Sequence, residues 1–264
     1  MEKKRYVILD ALRGFAILGI CLANYPEFSL WTFSDQSLWT ASDKVTRAVL
    51  TFFVDGKFYT LFSLLFGMGF SIQIANAGQK TKTFYRRMTV LFLIGFATGR
   101  EGMFADPARH RKLLRSLLSY GFLLGIPVSF LYVWSSMSGN PFGPVVHGVF
   151  YLLSVYPMGF AYAAGFCLLY LRHKEGKGWR LLANPGKVAC TNYLMQSVLG
   201  VLIFYGIGFG LGGKVGLLGT EAVALGIYAL EIAVSTLWLK YFRFGPVEWV
   251  WRMLTYGQRL PLKK

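Results

Sequence analysis

Apolar residues in this chain gather into long runs separated by short basic segments. Six runs reach or approach the about 20 residues that a helix needs to cross a hydrocarbon core. They cover residues 6–25, 58–75, 114–134, 146–171, 188–211 and 217–242. A seventh run, 88–99, lies between Arg86 and Arg87 on one side and Arg100 and Glu101 on the other, and is too short for a comfortable span. The pattern predicts an all-α fold: a polytopic transmembrane helix bundle of about six spans plus one short re-entrant or interfacial segment. A shorter amphipathic stretch at 244–256, with Trp249, Trp251 and Arg252, fits a helix lying in the membrane interface. Nothing marks a second domain, so residues 1–264 read as one transmembrane domain, with 244–264 as interfacial helix and cytoplasmic tail.

Charge orients the runs. Lys3, Lys4 and Arg5 favour a cytoplasmic amino terminus. Residues 28–57 then fall outside with few basic residues. If 88–99 dips in and returns, the clusters Lys80–Arg87, Arg100–Lys112, Arg172–Lys187 and Lys240–Lys264 all stay inside. Only Lys44, Arg47, Lys57 and Lys214 then face outward. Both termini are expected to be cytoplasmic. No small-x-small cleavage site precedes Tyr25, so the first run is expected to remain as a span.

Composition agrees. Hydrophobic residues make up 55% of 264, charged residues only 15%, and the mean hydropathy is +0.46. So little polar surface cannot cover a water-soluble globule, and it excludes disorder and a disulfide-stapled secreted module. A net charge of +16 would suggest nucleic acid in a soluble protein. Here the basic residues flank apolar runs, so the expected partner is a lipid bilayer and not nucleic acid. Cys21, Cys167 and Cys190 sit inside apolar runs and read as small core residues. The histidines lack metal-ligand spacing, so no metal site is expected.

Polar groups inside apolar runs are expensive and therefore informative. Asp10 and Arg13 share a helix face, either as a structural ion pair or as a grip on an anionic group. Asn24 ends the same run. Lys57 follows Asp55 and Gly56, and either snorkels or anchors a carboxylate or phosphate. Asn192 and Gln196, one turn apart, must look into the bundle. Glu221 lies near the outer edge of the last run and needs no special reading. Glu231, nearer the middle, needs a cation or a proton. Pro127 and Pro157 are expected to kink their spans.

Three stretches together resemble the YeiB family of bacterial inner-membrane proteins, a group of unknown function. They are Leu9-Asp10-Ala11-Leu12-Arg13-Gly14-Phe15, then Asp55-Gly56-Lys57-Phe58 with Leu61-Phe62-Ser63-Leu64-Leu65-Phe66-Gly67, and then Thr191-Asn192-Tyr193-Leu194-Met195-Gln196-Ser197 with Phe242-Arg243-Phe244-Gly245-Pro246-Val247-Glu248-Trp249. The resemblance implies a bacterial cytoplasmic-membrane protein. The Asp-x-x-Arg-Gly motif is similar to one in membrane acyltransferases that modify glycans. That similarity implies acyl transfer to an envelope glycan or small polar acceptor. Asp10 and Arg13 would then be the catalytic pair, and Asn24, Lys57, Asn192, Gln196 and Arg243 the binding residues. No cofactor is identified, acyl-coenzyme A being a donor compatible with that chemistry, as is a homo-oligomer.

The chain departs from the family pattern at Thr98, which stands where members have His, and a following Trp and Gly-Asp-Ile-Leu are missing. It also looks shortened internally by several spans. A small-solute transporter using the polar interior and Glu231, or a non-catalytic scaffold, are the competing expectations.

Overall fold

The computed structural model describes residues 7–77, 107–173 and 176–264. Nine helices are numbered here in chain order over those residues: α1 (Val7–Phe28), α2 (Ala41–Phe53), α3 (Lys57–Ala77), α4 (Arg111–Met137), α5 (Gly143–Arg172), α6 (Lys177–Lys187), α7 (Ala189–Phe204), α8 (Leu217–Tyr241) and α9 (Pro246–Tyr256). No strand is formed among them beyond a single bridge between Phe242 and Lys263. Among the described residues, five segments are long and apolar enough to cross a bilayer: Val7–Phe28, Ala41–Gly67, Arg111–Met137, Gly143–Arg172 and Leu217–Tyr241. A sixth is added if Gly178–Lys187 and Ala189–Phe204, bent by 78°, form one broken span or a re-entrant loop. The protein is an all-α, polytopic membrane protein.

Two compact units divide the chain. The first spans residues 1–9 and 56–179, and its core is the antiparallel hairpin of α4 and α5 with α3 packed on α5. Small residues let these backbones approach. A Cβ at Gly121 would stand 2.6 Å from the Pro157 carbonyl oxygen, and one at Gly125 would stand 2.6 Å from Met158 Cγ. Pro127 and Pro157 sit within helices that continue past them. The outward faces carry Tyr120, Leu123 and Phe130, each more than 60% exposed, as suits a lipid-facing surface.

The second unit spans residues 10–55 and 180–264. Here α1 and α8 run antiparallel: the Tyr228 hydroxyl donates to the Gly14 carbonyl at 2.9 Å, and Cys21 Sγ to the Ala224 carbonyl at 3.6 Å. Its apolar core is Cys21, Tyr25, Phe204, Ala224 and Ile227. The α6–α7 elbow fits against α1 because a glycine stands on each side. A Cβ at Gly14 would overlap the Leu182 carbonyl, and one at Gly186 would overlap the Asp10 carbonyl.

Carboxylates from distant segments cap two helices of this unit. Thr40 and Asp43 form a capping box on α2. The same Asp43 accepts the Leu217 backbone N–H at 2.7 Å, where the α8 N-cap, Gly216, has no side chain to offer. Glu248 of α9 does likewise for α7. Its Oε1 accepts from the Cys190 and Thr191 N–H groups at 2.7 and 3.2 Å, and its Oε2 from the Thr191 hydroxyl at 2.5 Å. Orphan N–H groups at a helix start need such acceptors wherever water is scarce.

Three expectations are corrected. The segment 28–57 is not a simple outer loop, and the second span does not begin at 58: α2 occupies 41–53, and the candidate span runs Ala41–Gly67. The charges that hid it are neutralised locally, Asp43 by its caps and Arg47 by Asp55 at 3.1 Å. The run 188–211 is helical only to Phe204, after which the chain folds back on the helix end. The Phe209, Leu211 and Gly212 N–H groups donate to the Leu202, Ile203 and Phe204 carbonyls. Glycines at 206, 208 and 210 favour that reversal over another helical turn. Cys190 is exposed rather than a core residue, while Cys21 and Cys167 are buried. The expected re-entrant run 88–99 lies outside the described residues. The stretch expected to lie at the interface is helical as α9, and the chain after it returns to pair Arg243 N–H with the Leu262 carbonyl at 2.9 Å.

Candidate functional site

Amides and hydroxyls between α7 and α8 form a ladder in the second unit. Asn192 Nδ2 donates to Ser235 Oγ at 3.0 Å, and Gln196 Nε2 donates to Glu231 Oε2 at 2.8 Å. Each step up α7 is matched by one step down α8, as two antiparallel helices require. Asn184 Nδ2 adds a bond to Thr236 Oγ1 at 3.0 Å, and the Tyr25 hydroxyl donates to the Gln196 carbonyl at 3.2 Å. The expected inward face of Asn192 and Gln196 is therefore present, and its groups are spent on helix partners.

Asp10 is 2% exposed and lies 3.4 Å from Arg13 Nη1. Asp10's backbone abuts Gly186, while Asn192 Nδ2 reaches the Pro185 carbonyl at 3.4 Å. The α1 backbone at Asp10 and the Asn192 amide thus each border the α6–α7 elbow. Asn24 is half-buried further along α1, and Arg243 is exposed beyond α8.

Lys57 belongs to the first unit and is wholly buried. Its Nζ lies 5.5 Å from the centre of the Tyr132 ring, so the side chain does not snorkel. Tyr132 in turn packs against His147, with centroids 5.0 Å apart, and against Tyr151 at 5.6 Å. Across the α4–α5 turn, Ser135 Oγ and His147 Nδ1 are 3.0 Å apart, with Ser135 fully buried. Lys57, Tyr132, Ser135, His147 and Tyr151 therefore form one cluster at the turn end of the hairpin.

That cluster was not foreseen apart from Lys57. Ser135 and His147 are unremarkable singly, and only the tight turn at 138–142 brings them together. A hydroxyl bonded to an imidazole is the elementary nucleophile–base pair, and a buried cation in the same cluster favours developing negative charge. Among the described residues, no group of three or more His, Cys, Asp or Glu side chains is placed to hold a metal ion.

The family described as "Protein of unknown function (DUF418)" matches residues 98–258, and the chain belongs to it. An uncharacterised 39.9 kDa protein encoded in an amylase 3′ region of Bacillus acidopullulyticus is 28% identical over 339 aligned positions, covering 98% of this chain and 96% of that protein. The alignment is longer than the 264 residues of the chain, so the relative has internal residues that this chain lacks. The uncharacterised protein YxaH of Bacillus subtilis is 32% identical over 66% of this chain and 41% of its own length. The uncharacterised protein YeiB of Escherichia coli is 39% identical over 28% of this chain and 19% of its own. The expected YeiB-like membership is thereby shown. The similarity to acyltransferases is not. No solved structure matches.

Proposed function

We propose that the protein transfers acyl groups within the membrane to a hydroxyl of a polar acceptor, with the Ser135–His147 pair as its chemical centre. The observation that carries this reading is the 3.0 Å contact between Ser135 Oγ and His147 Nδ1, with buried Lys57 over the Tyr132 ring that packs on His147. With Nδ1 unprotonated, His147 takes the Ser135 proton as the hydroxyl attacks an activated acyl carbonyl. A new ester bond forms, the bond to the leaving group breaks, and the proton passes to that leaving group. The acceptor hydroxyl then reverses these steps. Tyr132 and Tyr151 wall the site, and the charge of Lys57, over the Tyr132 ring, favours the developing oxyanion from there. In this scheme the family's missing His at Thr98 is not needed.

Acyl-coenzyme A suits the basic start of the same hairpin, where Arg109, Arg111, Lys112 and Arg115 lie. That end is about 36 Å along α4 from Ser135, so the acyl group itself must traverse the hairpin or be delivered on a lipid. Asp10 and Arg13 take a positioning role in this scheme, fixing α1 against the elbow of the second unit. We take the bacterial cytoplasmic membrane as its location, with both termini inside, a reading supported by its relatives' bacterial sources and its own basic segments.

Purified protein incubated with labelled acetyl-coenzyme A and envelope extract should transfer label to extract components. Ser135→Ala and His147→Gln should abolish transfer while the protein still elutes as one species. Label transfer undiminished in both variants would overturn the proposal.

A further inference from the structure

Two acids on the buried face of α8 take no part in the chemistry of the first unit. Glu231 is 4% exposed and Glu221 7%. Gln196 serves one Glu231 oxygen, while Glu231 Oε1 and both oxygens of Glu221 have no hydrogen-bond partner. Ten residues separate them, about 15 Å of helix rise. Tyr228 and Ala224 lie between them on the same face, with Cys21, Tyr25, Phe204 and Ile227 packed into the apolar core alongside.

The surroundings decide what can balance their charge. Cys21, Tyr25 and Tyr228 lie within electrostatic reach of Glu231, together with the Gln196 amide. Around Glu221 the charged neighbours are Asp55 and Arg47, and that arginine is already tied to Asp55 at 3.1 Å. One cation is therefore shared among two acids at that end, and the other end has none among these neighbours. Unpaired carboxylates in an apolar interior are strongly disfavoured. A bound calcium or magnesium ion would need about six oxygens or more. A thiol, two phenols and one amide do not supply them at Glu231. A proton requires only the carboxylate.

We propose that Glu221 and Glu231 are proton-binding carboxyls, and that the second unit relays protons along the buried face of α8. Each carboxylate becomes a carboxylic acid on taking a proton from water at one end, and returns to carboxylate on releasing it toward the other. No electrons move and no co-reactant is consumed. The Tyr25 and Tyr228 hydroxyls stand beside the line. The apolar cluster of Cys21, Phe204, Ala224 and Ile227 separates the two acids, so a proton crosses only on water that enters it transiently, and transfer is slower than through a water-filled channel. This inference is independent of acyl transfer, which belongs to the other unit.

The test is proton entry into liposomes holding the whole protein and a trapped pH dye, driven by a potassium diffusion potential with valinomycin. Wild-type vesicles should acidify faster than empty ones. Glu231→Gln and Glu221→Gln should fall to the rate of empty vesicles, Glu231→Asp should keep flux, and exposed Glu27→Gln should match wild type. Infrared difference spectra should show a carboxylic-acid carbonyl band that Glu231→Gln removes. Wild-type vesicles no faster than empty ones would overturn the relay, as would full flux in both glutamine variants. If Glu231→Gln aggregates, Glu221→Gln decides by the same two outcomes.

Discussion

Gly56 fixes Lys57 by a backbone constraint. It adopts φ of +76°, and a Cβ there would stand 2.6 Å from the Tyr151 hydroxyl oxygen. Gly56→Ala therefore meets both strain and overlap, and should cost about 1–3 kcal/mol. Thermal unfolding in detergent would read the loss, and acyl transfer should fall with it because Tyr151 and Lys57 move together. The expensive residues were the legible ones: Asp10, Lys57, Asn192, Gln196 and Glu231 each stand out in an apolar run, and each is buried except for modest exposure of none above 5%. Their partners were not legible, since which hydroxyl meets which amide depends on helix register. Serine is inexpensive within a membrane helix, so Ser135 gave no signal. Glu221 gave a misleading one, because its place near a helix end hid its burial.

At the level of elements, α7 depends on an acceptor that lies outside it. Its N-cap residue is Val188, which has no side-chain bond to give, and Glu248 fills the role from α9. Glu248→Ala should destabilise the protein by about 1–3 kcal/mol, chiefly by orphaning the Cys190 and Thr191 N–H groups. Loss of amide protection confined first to the start of α7 in hydrogen exchange would confirm it. The elbow before α7 predicts a steric effect. Gly186→Leu would drive a side chain into the Asp10 carbonyl and should lower detergent-solubilised yield, whereas Gly178→Leu, with open space around it, should not. Long uniform runs such as α4, α5 and α8 were readable from hydropathy alone. The helix α2 was not, because Asp43, Lys44 and Arg47 break its apolar run, and what offsets Asp43 and Arg47, the Thr40 and Leu217 caps and the Asp55 carboxylate, appears only once the chain is folded.

For the molecule as a whole, the second unit has two distinguishable ends. Two bonds mark one, the Gly213 N–H donating to the Ser29 carbonyl at 2.9 Å and the Leu217 N–H to the Asp43 carboxylate at 2.7 Å. The α6–α7 elbow, Glu248 and the returning tail occupy the other. The excess of basic residues on the tail end predicts that it faces the cytoplasm. With the native cysteines replaced, Lys214→Cys should react with an impermeant thiol reagent on intact cells, and Lys263→Cys only after permeabilisation. The reverse pattern would invert the orientation.

The carboxylates that close the starts of α7 and α8 also set an order of assembly. Asp43 leaves the ribosome 174 residues before Leu217, so α8 finds its acceptor waiting when it enters the bilayer. Glu248 is made 58 residues after Cys190, so α7 must enter with its first turn open. A chain terminated at Gly245 and released would keep every described span and carry one frayed seam, the state in which quality-control proteases would first find purchase.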